Sequence, residues 1–260
     1  MPVKVLFVGD IVGRPGRKAL NKFLPGLISD YAPHFVIGNA ENAAGGYGLT
    51  EAIAQELLAA GFDLLTSGNH IWRREFLPYL AKAEKVLRPA NYPAGAVGKG
   101  YAVLHKNDKK LGVINLEGRV FMRSLDCPFR IGLALAEKLK EETPCILVDF
   151  HAEATSEKLA LGWYLDGKVS AVIGTHTHVQ TGDERILPEG TAYLTDVGMT
   201  GIRDGVIGMR KDHAIELFLT QVPRKLEVPK TGPKKLEAVY LEIDEQTGKT
   251  QKLVRIRKED

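Results

Sequence analysis

Short β-branched apolar runs recur along the chain and alternate with helix-like stretches, the pattern of an α/β domain rather than an all-α or all-β one. Val3 to Gly9 reads as a first strand, and a helix opening near Pro15 and Gly16 runs to about Asp30. A second strand, Phe35 to Gly38, ends in Asn39-Ala40-Glu41-Asn42. Thr50 is a good N-cap for a helix that stops by Gly61, and a third strand, Asp63 to Thr66, runs into Ser67-Gly68-Asn69-His70. The first half is thus βαβαβα.

The texture changes from about Lys85 to Asp126, where Tyr101 to His105 and Lys110 to Asn115 flank Asn107-Asp108 like a hairpin. Here the sheet is expected to turn antiparallel. A helix from about Arg130 to Lys140 leads into the strand Cys145 to Phe150, which stops at His151. A helix from Ser156 to Leu165 precedes the strand Val169 to Ile173, which stops at Gly174-Thr175-His176-Thr177-His178. Ala192 to Thr195 is one more strand, Ala214 to Thr220 a late helix, and Ala238 to Ile243 with Gln251 to Ile256 a closing hairpin around Thr247-Gly248. Neither a repeat nor a linker interrupts the series, so residues 1–260 are expected to form one domain.

Composition narrows the picture only slightly. A hydrophobic share of 44% over 260 residues is enough for a substantial core. The net charge is +3, and much of the surplus sits late, in Lys225, Lys230, Lys234, Lys235 and the stretch Lys252 to Lys258. A solvated face accounts for it, and it implies no nucleic-acid binding. Cys127 and Cys145 lack ligand spacing and read as reduced thiols. No apolar run approaches the roughly 18 residues of a membrane span, and the start is too short for a signal peptide; a cytoplasmic protein without membrane attachment is expected.

The chemistry lies at the strand ends. Asp10, Glu41, Asn42, Asn69, His70, His151, His176 and His178 each fall within a few residues of one, and five strands deliver them. In α/β folds sites assemble at the carboxyl ends of strands, so these residues are expected to converge. Two carboxylates, two carboxamides and several imidazoles offer oxygen and nitrogen donors without thiolate, a set suited to Fe, Mn or Zn. There are too many for one tetrahedral site, but the number suits two ions sharing a bridging carboxylate. Such ions, about 3.5–4 Å apart, would hold a hydroxide that attacks phosphorus in line.

In an extended segment His176 and His178, two apart, would point to the same side and address adjacent ions. A lone histidine reads as an ordinary core or surface imidazole, as do His34, His105 and His213; three at strand ends read otherwise. Asp10 or Asn42 alone would also suit an N-cap or Asx-turn. The glycine-rich stretch Asn42 to Gly48 either turns beside the site or brings amides to a phosphate; it has neither the P-loop signature nor G-x-G-x-x-G spacing. Arg14 and Arg17 either face solvent or meet substrate phosphate. Glu153, Asp183 and Asp196 are placed to accept a ligand histidine's free N–H, or to cap loops, and Thr155-Ser156-Glu157 reads as a helix N-cap.

At Gly68-Asn69-His70 and Gly174-Thr175-His176-Thr177-His178 the chain resembles the calcineurin-like metallophosphoesterases, whose motifs read D-x-H, G-D, G-N-H-[DE], H and G-H-x-H. It departs from them at Val12 in place of histidine, at Glu41-Asn42 in place of aspartate, and at Ile71 in place of an acid. With those departures it resembles the YmdB-like bacterial phosphodiesterases, through GDIVG, NAEN, SGNH, DFHAE and GTHTHVQT along nearly the whole chain.

That resemblance implies a four-layer α/β/β/α sandwich and two divalent or trivalent ions, iron foremost, with manganese or zinc as alternatives. It implies Asp10, Asn42 and His178 on one ion, Asn69, His151 and His176 on the other, and Glu41 between them. Asn42 would replace the histidine missing at Val12. His70 would act as general acid or phosphate stabiliser, a role open to an imidazole near neutral pH. The implied substrate is a phosphodiester such as a 2′,3′- or 3′,5′-cyclic nucleotide, with an RNA-derived substrate and a homo-oligomer left open. A phosphomonoesterase using the same metals, or a metal-containing regulatory protein with vestigial catalysis, are the rival readings.

Overall fold

The computed structural model describes residues 2–260. In chain order its elements are β1 (Val3–Val8), β2 (Asp10–Ile11), α1 (Gly13–Tyr31), β3 (Phe35–Asn39), α2 (Glu51–Ala59), β4 (Leu64–Thr66) and α3 (Leu77–Leu80). Next come β5 (Tyr101–Lys106), β6 (Lys109–Glu117), α4 (Pro128–Lys140), β7 (Ile146–His151), α5 (Thr155–Tyr164) and β8 (Ala171–Thr175). The last third holds β9 (Arg185–Ile186), β10 (Ala192–Leu194), β11 (Met199–Ile202), α6 (Lys211–Thr220), β12 (Lys234–Ile243) and β13 (Thr250–Glu259).

The strands form two sheets. One is ordered β2-β11-β12-β1-β3-β4, with β13 also on β12; the other is ordered β5-β6-β7-β8-β10-β9. Alternation along β1 explains how they pack. Val3, Val5 and Phe7 point between the sheets and meet Leu111, Leu147, Ile173 and Leu194 from the other sheet. Leu6 and Val8 point the opposite way, onto Leu20, Leu24 and Leu27 of α1 and Leu57 of α2. On the far side, Ile114, Val148, Phe150 and Val172 pack against Ala136 and Leu139 of α4 and Leu161 of α5. The layers are therefore α/β/β/α. Strands buried on both faces are apolar over most of their length, which is why they read as nearly continuous runs.

β1, β3 and β4 run parallel in one sheet, and β6, β7, β8 and β10 in the other, so both bring their carboxyl ends to a common edge. The expected hairpin is present: β5 pairs antiparallel with β6 from Lys106↔Lys109 outward, with Asn107 left-handed at the turn (φ 55°). The antiparallel turn stops at that edge strand, because β6 pairs parallel with β7. Thr50 caps α2 as expected, its hydroxyl accepting from Ile53 N. The expected cap on α5 is not formed, since Ala154 is its N-cap and makes no side-chain bond. Glu157 instead accepts from the Arg119 and Val120 amides.

Four short elements are not legible from sequence: β2, α3, β9 and β11. They are held by pairing and packing, not by any run long enough to show periodicity. Cys127 and Cys145 are free thiols. Among the described residues no helix is long and apolar enough to cross a membrane.

The inter-sheet layer generates a stability prediction. Phe7→Ala, at a fully buried position between the sheets, is expected to cost about 3–5 kcal/mol, while Phe218→Ala, at a side chain 71% exposed, costs less than about 0.5 kcal/mol. Urea unfolding of both variants checks this, and equal midpoint shifts would contradict the packing described.

Candidate metal centre

All eight residues singled out at strand ends meet at the shared carboxyl edge of the two sheets. Asp10 sits in β2, which leaves the end of β1 to pair with β11 through Met199↔Asp10. Glu41 and Asn42 follow β3, Asn69 and His70 follow β4, His151 ends β7, and His176 and His178 follow β8. Asp10 and Glu41 are both 0% exposed. Buried carboxylates need compensation, and among the described residues they find it in neighbouring imidazoles and amides.

Glu41 faces two ways. Its Oε1 accepts from Asn42 Nδ2 at 2.9 Å and lies 3.1 Å from His70 Nδ1; its Oε2 lies 3.3 Å from His151 Nε2 and accepts from the His70 amide at 3.0 Å. On the Oε1 side, His178 Nε2 is 3.2 Å from Asn42 Nδ2 and 3.6 Å from Asp10 Oδ1. On the Oε2 side, His151 Nε2 is 3.1 Å from Asn69 Oδ1 and 3.0 Å from His176 Nδ1. Two groups of side chains thus flank one carboxylate. Ligand-type atoms of Glu41, His151 and His176 all lie within 4.8 Å of one another, and the buried Asp10 Oδ1 has no hydrogen-bond partner among the described residues. An orphaned carboxylate oxygen beside converging imidazole nitrogens fits a cation.

Each of the three late histidines is oriented from outside the cluster. The His151 ring donates from Nδ1 to Thr175 Oγ1 (2.9 Å), whose hydroxyl donates to Asp149 Oδ1 (2.7 Å). His178 donates from Nδ1 to the Ile207 carbonyl (2.8 Å), and His176 Nε2 reaches Glu153 Oε2 (3.1 Å). In each ring's neutral form, satisfying the outer nitrogen selects the tautomer that turns a lone pair inward. Glu153 therefore occupies the supporting position expected of it. Asp183 does not: it accepts from the Thr195 amide and hydroxyl. Asp196 takes Lys158 Nζ (2.8 Å) and the Thr177 amide and hydroxyl, so it fixes the residue between the histidines rather than either ring.

The extended segment expected at His176 and His178 is not what the chain forms. Their φ angles are +102° and +63°, left-handed conformations that are costly for side chains with a Cβ. The turn, pinned at Thr177 by Asp196, sends one ring toward His151 and the other toward Asp10. Close packing adds a second constraint, since a Cβ on Gly68 would lie 2.1 Å from the His151 ring. Only glycine lets the Asn69 loop pass beneath that histidine.

Sequence reasoning misses the supporting residues Asn39, Asp149, Thr175 and Lys158. Asn39 Nδ2 donates to Asp149 Oδ2 (3.0 Å) and to the Ser67 carbonyl, while its Oδ1 accepts from the Glu41 amide. The one available signal is Asp149, an acid inside an apolar strand two residues before His151. Arg17 braces the glycine-rich stretch, reaching Ala43 O and Glu56, whereas Arg14 is exposed. The Ala44, Gly46 and Tyr47 amides bond within that stretch, which makes it a closed turn beside the site.

The electrostatics follow from burial opposed by neighbours. Burial raises Glu41, but the charges and hydrogen bonds of His151 and His70 outweigh it and hold the carboxyl well below its usual range. Burial also raises Asp10, and His178 and His151 reverse that. His151 is depressed by burial yet lifted to about 9 by Glu41 and Asp10. Burial and the His151 charge together push His176 down to about 3. The two buried carboxylates and the imidazoles of His151 and His178 thus favour one another's charged forms.

Comparison with known proteins agrees with this architecture. The model of the family described as YmdB-like protein matches residues 6–256. A Bacillus subtilis (strain 168) protein named 2′,3′-cyclic-nucleotide 2′-phosphodiesterase is 50% identical over 255 residues, 98% of this chain and 96% of its own. The crystal structure of a Mycoplasma pneumoniae protein described as a novel phosphatase superposes with a TM-score of 0.93 at 36% identity, over 100% of this chain and 94% of that one. A Thermus thermophilus protein described as hypothetical superposes at 0.91 with 41% identity, over 99% of each chain. Fold, full-length match and identity together make this chain a member of the YmdB-like family.

Proposed function

We propose that the chain is a cytoplasmic, metal-dependent phosphodiesterase that opens 2′,3′-cyclic phosphates on nucleotides and on RNA-derived ends. The observation that carries the reading is the two-sided Glu41, whose oxygens face separate groups of donors. Asp10, Asn42 and His178 would hold one ion and Asn69, His151 and His176 the other, with Glu41 shared. The oxygen and nitrogen donor set accepts iron, which the family resemblance favours, and also manganese or zinc. When bound, such a pair supplies an activated water and neutralises charge on the phosphoryl oxygens. The Bacillus subtilis relative's named substrate supports the choice of a 2′,3′-cyclic nucleotide.

The chain's own contribution is orientation and proton transfer. His70 donates from Nδ1 to Asn42 Oδ1 at 2.8 Å and its ring lies 4.3 Å from that of Tyr47, so the ring is held in place. Among the described residues no hydrogen bond or ion pair reaches its Nε2, and the side chain is 28% exposed, so the doubly protonated ring can give its Nε2 proton to the departing oxygen while Nδ1 keeps its own. His70 would therefore be the general acid or phosphate stabiliser, and not a ligand.

Glu41→Gln and His151→Ala are expected to lose metal and at least about 100-fold in kcat on 2′,3′-cyclic AMP, a loss that disturbing mere supporting contacts to metal ligands already causes. Elemental analysis with steady-state kinetics checks this; a metal-depleted variant with normal turnover would refute the mechanism. His70→Ala should retain metal and lose about 10²–10⁴-fold on alkyl esters but far less on nitrophenyl esters, whose leaving group needs no proton. Equal losses on both would remove the acid role.

The pH dependence of metal-free protein has a definite sign. His151 is raised to about 9, so its stabilising charge is fully present below the ordinary histidine value of 6.5 and disappears as pH rises through about 9. The melting temperature of chelator-treated protein should therefore fall between about pH 7 and pH 9.5, while metal-loaded protein, whose ligands are already deprotonated, should not show this step. Parallel curves for the two forms would contradict it.

A further inference from the structure

Beside the metal centre lies a cavity of about 630 Å³ whose rim carries Arg14, Lys18, Lys225 and Lys230. None of these four takes part in an ion pair or side-chain hydrogen bond among the described residues. The arginines around them are paired: Arg17 with Glu56, Arg203 with Asp204, Arg210 with Asp212 and Arg224 with Glu216. The one acid lining the cavity, Glu227, already faces Arg210 at 3.9 Å. Four uncompensated cations gathered in one concavity repel one another and concentrate anions there.

The cavity is built onto the ligand loop itself. Gly45, in its wall, is three residues past Asn42, a reach of at most about 10 Å, and a Cβ there would meet nothing. The arm bearing Lys225 and Lys230 is fastened to the same region: a Cβ on Gly46 would lie 2.6 Å from Val228, and Glu227 O accepts from the Arg210 amide at 2.8 Å. The adjoining turn, Val206 to Met209, supplies the Ile207 carbonyl that orients His178. The wall contains no aromatic side chain on which a base could stack, so its chemistry addresses phosphate and not base identity.

We propose that this cavity is a phosphate subsite for the backbone of a single-stranded oligoribonucleotide whose terminal 2′,3′-cyclic phosphate occupies the metal centre. The proposal rests on the phosphodiesterase reading above and names the substrate class that this site prefers. The lysines are far from Arg14 and Lys18 in sequence, which is why the late basic residues read as an ordinary solvated face until the chain is folded.

The test compares the metal-loaded full chain with its Lys225→Ala/Lys230→Ala variant, using 2′,3′-cyclic AMP and an octaribonucleotide ending in a 2′,3′-cyclic phosphate. Wild type should favour the octamer, and the variant should lose at least about tenfold in the octamer-to-mononucleotide ratio of kcat/KM. Fluorescence anisotropy with a labelled octamer ending in a non-cyclic 3′-phosphate should show the slope of log K against log salt shallower by about 1.4 in the variant, at about 0.7 per phosphate contact on a single strand. An unchanged ratio and slope would overturn the subsite while leaving mononucleotide hydrolysis, and with it the phosphodiesterase reading, intact. Hydrolysis of neither substrate by wild type would overturn both. Lysine-dependent binding to anionic phosphatidylglycerol vesicles, without any octamer preference, would also overturn the RNA assignment.

Discussion

Two carboxylates without solvent, Asp10 and Glu41, impose the condition that the rest of the site satisfies. An ionised carboxylate taken out of water is strongly destabilised unless opposite charge or hydrogen-bond donors surround it. Here the answer is a ring of imidazoles and carboxamides drawn from both sheets, with Asp10 Oδ1 still lacking a hydrogen bond. The same field that lifts His151 would attract a metal cation. The proton on His151 and a metal ion are alternative answers to one electrostatic demand, so metal binding, folding stability and pH are linked at this point.

That demand can be met only if two separately built sheets stay in register at their carboxyl edges. The apolar layer between them holds them together but does not fix position to a fraction of an ångström; directed polar contacts do. Asn39 on β3 bonds to Asp149 on β7, and Asn115 on β6 brackets Ser67, accepting from its amide and donating to its carbonyl at 2.9 Å each. These bonds tie the loop bearing Asn69 and His70 to the sheet bearing His151. Gly68 then lets that loop lie against the His151 ring. The left-handed backbone at His176 and His178 is the local cost of sending neighbouring rings to different partners, and the buried Lys158–Asp196 pair with its grip on Thr177 helps keep the turn in that shape.

The arm after α6 extends the same logic outward. It has no regular structure of its own, yet Val228 packs over Gly13 and Gly46 while Glu227 pairs with Arg210 through the backbone. The surface it forms with the start of α1 is contiguous with the loop bearing Asn42, so charge on the arm and the polar groups at the strand ends belong to one continuous face.

Much of this is legible in the residues. Unbroken apolar runs ending in Asn-Ala-Glu-Asn, Ser-Gly-Asn-His, Asp-Phe-His and Thr-His-Thr-His identify both the strands and the polar groups at their ends, because strand burial and site chemistry each restrict residue type locally. What folding alone decided is which oxygen of Glu41 faces which group, that Glu153 supports a histidine while Asp183 and Asp196 do not, and that Lys225 and Lys230 stand beside Arg14 and Lys18. It also decided the short strands β2 and β11, whose few residues carry no period. Hydrophobic pattern is a property of neighbours along the chain. Orientation, tautomer and charge compensation depend on atoms brought within about 3 Å of one another by long-range packing, and no local stretch of residues encodes that proximity.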